Sequence, residues 1–283
     1  MNPRTSEKFN IAMSLSLEGI GAVLSRDDEE YTVIRSIVPG GPAGMSGKVK
    51  VGDRIASVGQ ESGPMVDVVG WRIDDVVKLI RGPKGSKVRL DVLPAEAGLD
   101  GEHSLVELSR DKIKLEEQAA KKVIVDVGEG EDARRIGVIL LPTFYQDFEG
   151  RRRDEADYRS ATRDVEKILA DLKQENVDGV LIDLRQNGGG SLDEAIELTG
   201  LFIDQGPVVQ VRDAGRRISV QSDSKPGVAW DGPMAVIINR ASASASEIFA
   251  GAIQDYGRGL IIGEPTFGKG TVQNLIDLDR FAS

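Results

Sequence analysis

The spacing of hydrophobic and polar residues divides the chain into a strand-rich first part and a second part in which strands and helices alternate. In the first part, short alternating or β-branched runs bounded by glycine and proline turns predict strands. These strands are expected at residues 22–24, 31–34, 51–55, 88–92 and 104–108. Residues 74–81 have helical spacing, and Asp74 or Asp75 is available to cap the helix start.

The second part contains longer apolar runs, which predict buried strands. Strands are expected at residues 136–141, 177–184, 234–238 and 260–262, and helices at residues 154–174, 192–202 and from the serine-rich segment to residue 252. The repeated order of strand, loop and helix is typical of an α/β sheet. In such sheets the loops at the carboxyl ends of the strands carry the chemistry.

Length, composition and charge narrow the function classes. A chain of 283 residues is long enough for two domains. Its net charge of −10 opposes binding to nucleic acid, and no apolar run approaches the roughly 20 residues of a membrane span. With no cysteine and one histidine, His103, the chain lacks the usual ligands of a transition metal. We therefore expect no metal and no cofactor.

Three loops follow predicted strands and are expected to meet at one edge of the sheet. They are the glycine segment Gly188–Gly190, the serine-rich segment Ser242–Glu247 and the loop that holds Lys269. The glycines expose backbone N–H groups that could stabilise an oxyanion. Taken alone, such a glycine run is more commonly a tight strand-to-helix turn.

The serine-rich segment offers three candidate nucleophiles, Ser242, Ser244 and Ser246. Each is also a good helix cap, and Ser244 with Glu247 matches a capping box, so spacing alone does not separate them. Because histidine is scarce, the general base is expected to be Lys269, whose ammonium must be neutral to accept a proton.

The Lys269 loop has an alternative interpretation as a phosphate-binding loop. Residues 263–269 match most of the pattern G-x-x-x-x-G-K-[ST]. The next residue is Gly270, however, so the hydroxyl that would hold magnesium is missing, and Thr271 stands one place late. The phosphate-binding interpretation is therefore the poorer one, and an exposed lysine in a glycine loop is the commonplace alternative.

Taken together, these segments resemble the tail-specific, or C-terminal processing, serine peptidase family. The resemblance covers nearly the whole chain and is carried by four strings: residues 17–24 (LEGIGAVL), 183–190 (DLRQNGGG), 242–250 (SASASEIFA) and 263–273 (GEPTFGKGTVQ). It implies an α+β and α/β fold. The expected parts are a lead-in segment at residues 1–14, a PDZ domain at residues 15–110 and an incomplete crotonase/ClpP-like catalytic domain at residues 111–283.

The resemblance also implies roles for individual residues. The catalytic residues would be Ser244 as nucleophile, Lys269 as general base, Gln273 as the group that orients the lysine and Asp255 as a third relay member. A carboxylate close to Lys269 would favour its charged form, which weighs against Asp255. The oxyanion hole would consist of the backbone N–H groups of Gly189, Gly190 and Ala245. The side chains of Glu247 and Thr266 would support the site.

The first domain has a physical logic as a PDZ domain. Backbone N–H groups of a glycine turn would bind a terminal carboxylate, the strand at residues 22–24 would pair with an extended peptide, and apolar residues of the helix would line the groove. The expected peptide-binding residues are Glu18, Gly19, Ile20, Gly21, Val76, Val77 and Ile80. The alternative is a small β domain whose glycines only form turns.

The sequence therefore predicts a serine endopeptidase that captures the C-terminal tails of protein or peptide substrates. The resemblance implies a periplasmic location and leaves room for an adaptor protein, with no membrane span in this chain. A second hypothesis is a PDZ peptide-binding module in a catalytically incompetent fragment. A third is a crotonase-like acyl-thioester enzyme, which would explain neither the PDZ domain nor the Ser/Lys pair.

Overall fold

The computed structural model describes residues 3–273 and divides them into two compact units. The small unit consists of residues 16–115, and the large unit consists of residues 3–15 together with residues 116–273. The division differs from the expected boundary at residue 110, because a strand at residues 111–114 pairs with the first strand of the small unit. The expected lead-in segment forms helix α1 (Pro3–Ser14) of the large unit.

The small unit is rich in strands, as the alternating pattern predicts. Its elements are β1 (Ser16–Gly19), β2 (Ala22–Arg26), β3 (Thr32–Ile37), α2 (Pro42–Ser46), β4 (Arg54–Gln60), β5 (Met65–Asp67), α3 (Ile73–Ile80), β6 (Lys87–Leu93), β7 (Ser104–Ser109) and β8 (Asp111–Lys114). The main sheet has the order β2-β3-β4-β6-β7, β5 pairs with β4, and β1 pairs with β8. Strand β2 therefore lies at an edge of the main sheet.

The core of the small unit lies between this sheet and helix α3. Ile34, Ile55 and Leu90 are fully buried sheet residues, and Val76 and Ile80 of α3 pack into the same cluster. The helix begins after Arg72, which makes no side-chain cap. The expected aspartate cap is therefore wrong: Asp74 and Asp75 lie in the first turn, where their charge favours the helix dipole.

The large unit contains the predicted α/β alternation. Its remaining elements are β9 (Lys121–Val127), β10 (Arg134–Leu140), α4 (Phe148–Arg152), α5 (Ala161–Gln174), β11 (Gly179–Asp183), α6 (Leu192–Thr199), β12 (Gly206–Arg212), β13 (Ile218–Asp223), β14 (Met234–Ile238), α7 (Ala245–Asp255) and β15 (Leu260–Gly263). The main sheet has the order β15-β14-β11-β10-β9. Its strands are parallel except β9, which is antiparallel to β10, and β12 and β13 form a separate hairpin.

The two faces of this sheet differ in burial. On one face Ile139, Ile182 and Val236 are neighbours in register and are fully buried. On the opposite face Val125 and Leu140 are exposed, although both are apolar. The sequence predicts from the continuous apolar run that the strand at residues 136–141 is buried. That prediction is wrong for one of its two faces, where Leu140 is exposed.

Helix α5 begins later than its amphipathic pattern predicts. Ser160 takes an extended conformation, and its hydroxyl accepts a hydrogen bond from the Arg163 N–H, so the helix starts at Ala161 rather than residue 154. The charged residues before Ser160 are compatible with helix by propensity, but the cap sets the boundary.

None of the helices within the described residues 3–273 has the length and apolar character that a membrane span needs.

Candidate active site

The three candidate loops lie at the same edge of the large unit's sheet. Strands β11, β14 and β15 are adjacent and parallel, so their carboxyl ends point the same way. The glycine segment follows β11, the serine-rich segment follows β14, and the Lys269 loop follows β15. The predicted convergence of the loops is confirmed.

Ser244 occupies a strained backbone position at the start of helix α7. Its φ of 58° and ψ of −112° lie in a region that residues with a side chain rarely adopt. It is the N-cap residue of α7, and the N–H group of Ala245, which donates to no acceptor among the described residues, follows it directly. A sharp strand-to-helix turn of this kind presents a nucleophile next to an anion-binding helix end.

The three serines differ in burial and in the partners of their hydroxyl groups. Ser242 is fully buried, and its hydroxyl donates to the Leu184 carbonyl at 2.9 Å. Ser246 is also fully buried, and its hydroxyl donates to the Asn187 carbonyl at 2.9 Å. Ser244 is partly exposed. The hydroxyl groups of Ser242 and Ser246 are thus buried and bonded to backbone carbonyls. Of the three serines, Ser244 is the one that a substrate can reach.

The glycine segment packs directly against Ser244. A Cβ added to Gly189, whose φ is +103°, would lie 2.8 Å from the Ser244 Cβ and 3.0 Å from the Ala245 nitrogen. A Cβ on Gly190, whose φ is +147°, would collide with the Phe144 carbonyl oxygen. Glycine is required at both positions because the conformation and the close approach each exclude a side chain.

Asn187 joins the glycine segment to the serine-rich segment. It is fully buried, its carbonyl accepts from the Ala243 N–H at 3.1 Å, and its Oδ1 accepts from the Gly189 N–H at 2.9 Å. Its Nδ2 donates to the Leu141 carbonyl at 2.8 Å. The backbone carbonyl of Asn187 therefore links the glycine segment to the serine-rich segment, while its side chain bonds to Gly189 and Leu141.

The three N–H groups expected to form the oxyanion hole differ in whether they already donate a hydrogen bond. The Gly189 N–H is already bonded to Asn187. Within residues 3–273, no acceptor takes a hydrogen bond from the N–H of Gly190 or Ala245. Two of the three donors, the N–H groups of Gly190 and Ala245, are thus open to a ligand. Gly189 instead packs against Ser244.

Glu247 connects the turn that holds Ser244 to the Lys269 loop. Its Oε2 accepts from the Ser244 N–H at 2.6 Å and from the Lys269 N–H at 3.0 Å. Its Oε1 accepts from the Gly268 N–H at 2.6 Å and from the Thr266 hydroxyl at 2.8 Å. One carboxylate therefore receives four donors, and the pair Ser244 and Glu247 acts as more than a local helix cap.

The hydrogen bonds to Glu247 outweigh its burial. Burial by itself raises the pKa of this carboxyl, but the N–H groups of Ser244, Gly268 and Lys269 and the Thr266 hydroxyl bring the pKa below its usual value. A lowered pKa in the folded state means that the ionised carboxylate stabilises the fold above the unfolded-state pKa. That stabilisation is lost as the pH falls through the lowered pKa.

Replacing Glu247 with glutamine is expected to loosen the Lys269 loop. An amide group must turn its NH2 toward backbone donors, so at least one charge-assisted hydrogen bond is lost. We expect the amides of Gly268 and Lys269 to exchange at least about tenfold faster, since such a bond contributes about 1.5–3 kcal/mol. Hydrogen exchange followed by mass spectrometry on the peptide that covers this loop measures the effect.

The matched control is Glu264→Gln in the same loop, because Glu264 is exposed and makes only a 3.8 Å ion pair with Arg240. At a pH below the range in which carboxyl groups ordinarily titrate, Glu247 of the wild type becomes protonated. The exchange rates of the wild type and Glu247→Gln should therefore become similar there. Equal exchange in the wild type and Glu247→Gln at neutral pH would contradict this role.

The other expected catalytic residues are less closely held. The Lys269 side chain is half-buried, and Gln273, four residues later, is exposed. Asp255 is exposed at the last position of α7, ten residues after Ala245 and therefore about 15 Å further along the helix axis. The structure does not bring Asp255 to Ser244, because the length of the helix separates them.

In the small unit, helix α3 packs beside strand β2. Strand β2 ends the sheet order, and no described strand pairs with its outer edge. The turn before it contains the buried Ile20 and Gly21, whose carbonyls accept from the N–H groups of Ala43 and Val38. The sequence predicts that N–H groups of this turn bind a terminal carboxylate.

The expected contacts on α3 divide into core and groove. Val76 and Ile80 are buried in the core cluster, whereas Val77 is half-buried. Glu18 is exposed and its Oε2 accepts from the Lys84 N–H at 3.2 Å, while Gly19 is the last residue of β1. Of the three apolar helix residues, Val77 is therefore the one with surface left for a peptide.

Residues 135–282 match the model of peptidase family S41, and residues 8–93 match that of the PDZ domain. The first match covers more than half of the chain, and the chain belongs to peptidase family S41. It is 47% identical to the tail-specific protease of Haemophilus influenzae, over 99% of this chain and 38% of that protein. It is 32% identical to the chloroplastic carboxyl-terminal-processing peptidase 2 of Arabidopsis thaliana, over 87% of this chain and 43% of that protein. The chain thus spans about two-fifths of the length of these relatives.

Two solved structures are also similar. One is the PDZ domain of a carboxy-terminal protease from Vibrio cholerae in complex with peptide, at 60% identity, covering 36% of this chain and 100% of that one, with a TM-score of 0.34. The other is the photosystem II D1 C-terminal processing protease, at 26% identity, covering 94% of this chain and 65% of that one, with a TM-score of 0.47.

Proposed function

We propose that the protein to which this chain belongs is a serine endopeptidase that binds the C-terminal tails of protein substrates and cleaves them. The proposed nucleophile is Ser244 and the proposed general base is Lys269. The observation that carries the proposal is the Glu247 carboxylate, which binds the backbone N–H groups of both residues. A shared anchor fixes the nucleophile turn and the base-bearing loop at one edge of the sheet.

In the proposed reaction, the neutral amine of Lys269 takes the proton of the Ser244 hydroxyl as Oγ attacks the scissile carbonyl carbon. The tetrahedral intermediate collapses, the C–N bond breaks, and the leaving amine takes a proton from the lysine ammonium. A water molecule then attacks the acyl-enzyme ester with Lys269 again as base, and the Ser244 hydroxyl is released. Gln273 is proposed to orient the lysine amine.

The N–H groups of Gly190 and Ala245 are proposed to stabilise the oxyanion. Both are free of other acceptors in the described residues, and Ala245 lies in the first turn of α7, where the helix dipole favours negative charge. Gly189 is proposed to let the glycine segment approach Ser244 and Ala245 closely, since a side chain there would collide with both. Glu247 and Thr266 support the site through the loop that carries Lys269.

The small unit is proposed to capture the substrate tail. The turn at Ile20 and Gly21 would bind the terminal carboxylate, β2 would accept the tail as an added strand, and Val77 would contact an apolar side chain. An adaptor protein and a periplasmic location, which the resemblance of the sequence implies, remain part of the proposal.

Tail capture is tested by titrating this chain with a short peptide that has an apolar last residue. We expect the same peptide with a C-terminal amide to bind at least about tenfold more weakly, because the turn loses a charge-assisted hydrogen-bond partner. Isothermal titration calorimetry measures both affinities. Equal affinity for acid and amide would contradict recognition of the free carboxylate.

The second candidate, a peptide-binding module without competent chemistry, is favoured by the share of its relatives that the chain covers. It takes residues 1–283 as a catalytically incompetent fragment, and it predicts tail binding without hydrolysis by these residues and hydrolysis by the full-length protein. Hydrolysis by residues 1–283 alone would contradict this candidate and would place the complete endopeptidase activity in this chain.

A further inference from the structure

A buried carboxylate lies just beyond the glycine segment, in the first turn of α6. Glu194 is fully buried. Its Oε1 accepts from the Gln146 side-chain amide at 2.9 Å. Its Oε2 accepts from the Ser160 hydroxyl at 2.9 Å, and from both the N–H and the hydroxyl of Thr162 at 2.7 Å. Among the described residues, no cation contacts it.

The partners of Glu194 favour its ionised form. The carboxylate accepts from four donors, and the Thr162 backbone N–H cannot be turned into an acceptor. A protonated carboxyl could place its own O–H only by making the Ser160 or Thr162 hydroxyl an acceptor, which removes one of these four hydrogen bonds. A buried charge compensated by several donors is costly to disturb, because removing it leaves the donors unsatisfied.

The network leads to the glycine segment in a few hydrogen bonds. The Gln146 Oε1 accepts from the Ser191 hydroxyl at 3.1 Å, and the Ser191 N–H donates to the Phe144 carbonyl at 2.8 Å. The Phe144 N–H in turn donates to the Gly189 carbonyl at 2.9 Å, as does the Thr143 hydroxyl at 2.7 Å. Residues 143–146 therefore brace the glycine segment through hydrogen bonds other than those that join it to the serine-rich segment.

We propose that Glu194 is a positioning residue that holds the Gly188–Gly190 segment in the conformation required for the oxyanion, acting through Gln146 and the residue 143–146 brace. The proposal rests on the proposed function of the glycine segment. The ionised carboxylate fixes the amide orientation of Gln146: the NH2 faces Glu194, so the carbonyl oxygen faces Ser191. Reversing that amide would remove the acceptor of the Ser191 hydroxyl, the residue that follows Gly190.

The charge state gives the site a dependence on pH. Burial raises the pKa of Glu194, the hydrogen bonds from Thr162 and Ser160 lower it, the neighbouring Glu197 raises it, and the net direction is upward. The elements packed against the carboxylate face it with uncharged donors, and Tyr145 and Asp164 of those elements bond to each other. Activity should therefore fall as the pH drops through this raised pKa, at a higher pH than for an ordinary glutamate.

The experiment compares the wild-type full-length protein with Glu194→Ala and Glu194→Gln. We expect Glu194→Ala to lower kcat by about tenfold or more with KM within about threefold, because a misplaced oxyanion donor weakens the transition state rather than substrate binding. A peptide boronate, which forms a tetrahedral adduct, should bind the variant more weakly by a similar factor.

Glu194→Gln should keep a larger share of kcat than Glu194→Ala, because its carbonyl oxygen can stay on the Thr162 side. It should also lose the acid limb of kcat that belongs to Glu194, since an amide does not titrate in this range. The matched control is Glu197→Gln in the next turn of α6, which pairs with Arg151 and leaves the brace intact. It should leave kcat at neutral pH within about twofold.

Hydrogen exchange of this chain gives a readout that does not depend on activity. The Gly189 and Ser191 amides should exchange faster in Glu194→Ala than in the wild type, and no faster in Glu197→Gln. Unchanged exchange at these amides overturns the inference, as does an unchanged kcat and boronate affinity in a wild type whose cleavage depends on Ser244. Faster exchange in a protein without Ser244-dependent cleavage supports the positioning and overturns only the proposed function.

Discussion

Full-length protein carrying Ser244→Ala is expected to cleave an apolar-tailed protein at least about 1,000-fold more slowly than the wild type. The variant keeps the oxyanion donors and the tail groove but has no hydroxyl to form the acyl-enzyme. The measurement is kcat for loss of intact substrate, with tail-peptide affinity measured on the same preparation. That affinity should be unchanged, which separates a chemical defect from unfolding.

Ser246→Ala is the matched control for this variant. Its hydroxyl donates to the Asn187 carbonyl, so its loss removes one buried hydrogen bond but not the nucleophile. We expect a stability cost of about 1–3 kcal/mol and a far smaller loss of kcat than in Ser244→Ala. Loss of activity in Ser246→Ala together with full activity in Ser244→Ala would contradict the proposal that Ser244 is the nucleophile.

Lys269→Ala and Lys269→Arg are expected to be equally inactive, each at least about 1,000-fold below the wild type. Arginine keeps the positive charge but remains protonated at any working pH, so it cannot take the serine proton. The measurement is kcat across neutral and alkaline pH, with the exposed Lys225→Ala as the control that keeps activity. Substantial activity in Lys269→Arg would mean that the lysine acts by its charge rather than as a base.

The position of the site follows from the sequence because it depends on the order of the elements. Strand, loop and helix in repeated order predict parallel strands, and parallel strands bring their loops to one edge. The choice among Ser242, Ser244 and Ser246 does not follow in this way, since capping and catalysis favour the same residue type at the same place. Burial separates them: the two outer hydroxyls bond to backbone carbonyls of another loop.

The contacts that the sequence does not reveal are long-range ones. Asn187 and Glu194 resemble ordinary polar residues of a loop and a helix start, and the partners of their long-range hydrogen bonds lie 32 to 59 residues away along the chain. Strand β9 and the hairpin of β12 and β13 were also missed, because their outward residues are a mixture of apolar and polar side chains. Exposed Val123 and Val127 on β9 make that strand hard to assign to either face.

The most direct test of the central claim is to trap and locate the acyl-enzyme. The full-length protein is mixed with excess substrate, quenched in acid within the first turnover, digested and mapped by tandem mass spectrometry. The account predicts a substrate-derived acyl group on Ser244, and no adduct in Ser244→Ala. An acyl group on Ser242 or Ser246, or cleavage by Ser244→Ala at the wild-type rate, would contradict it.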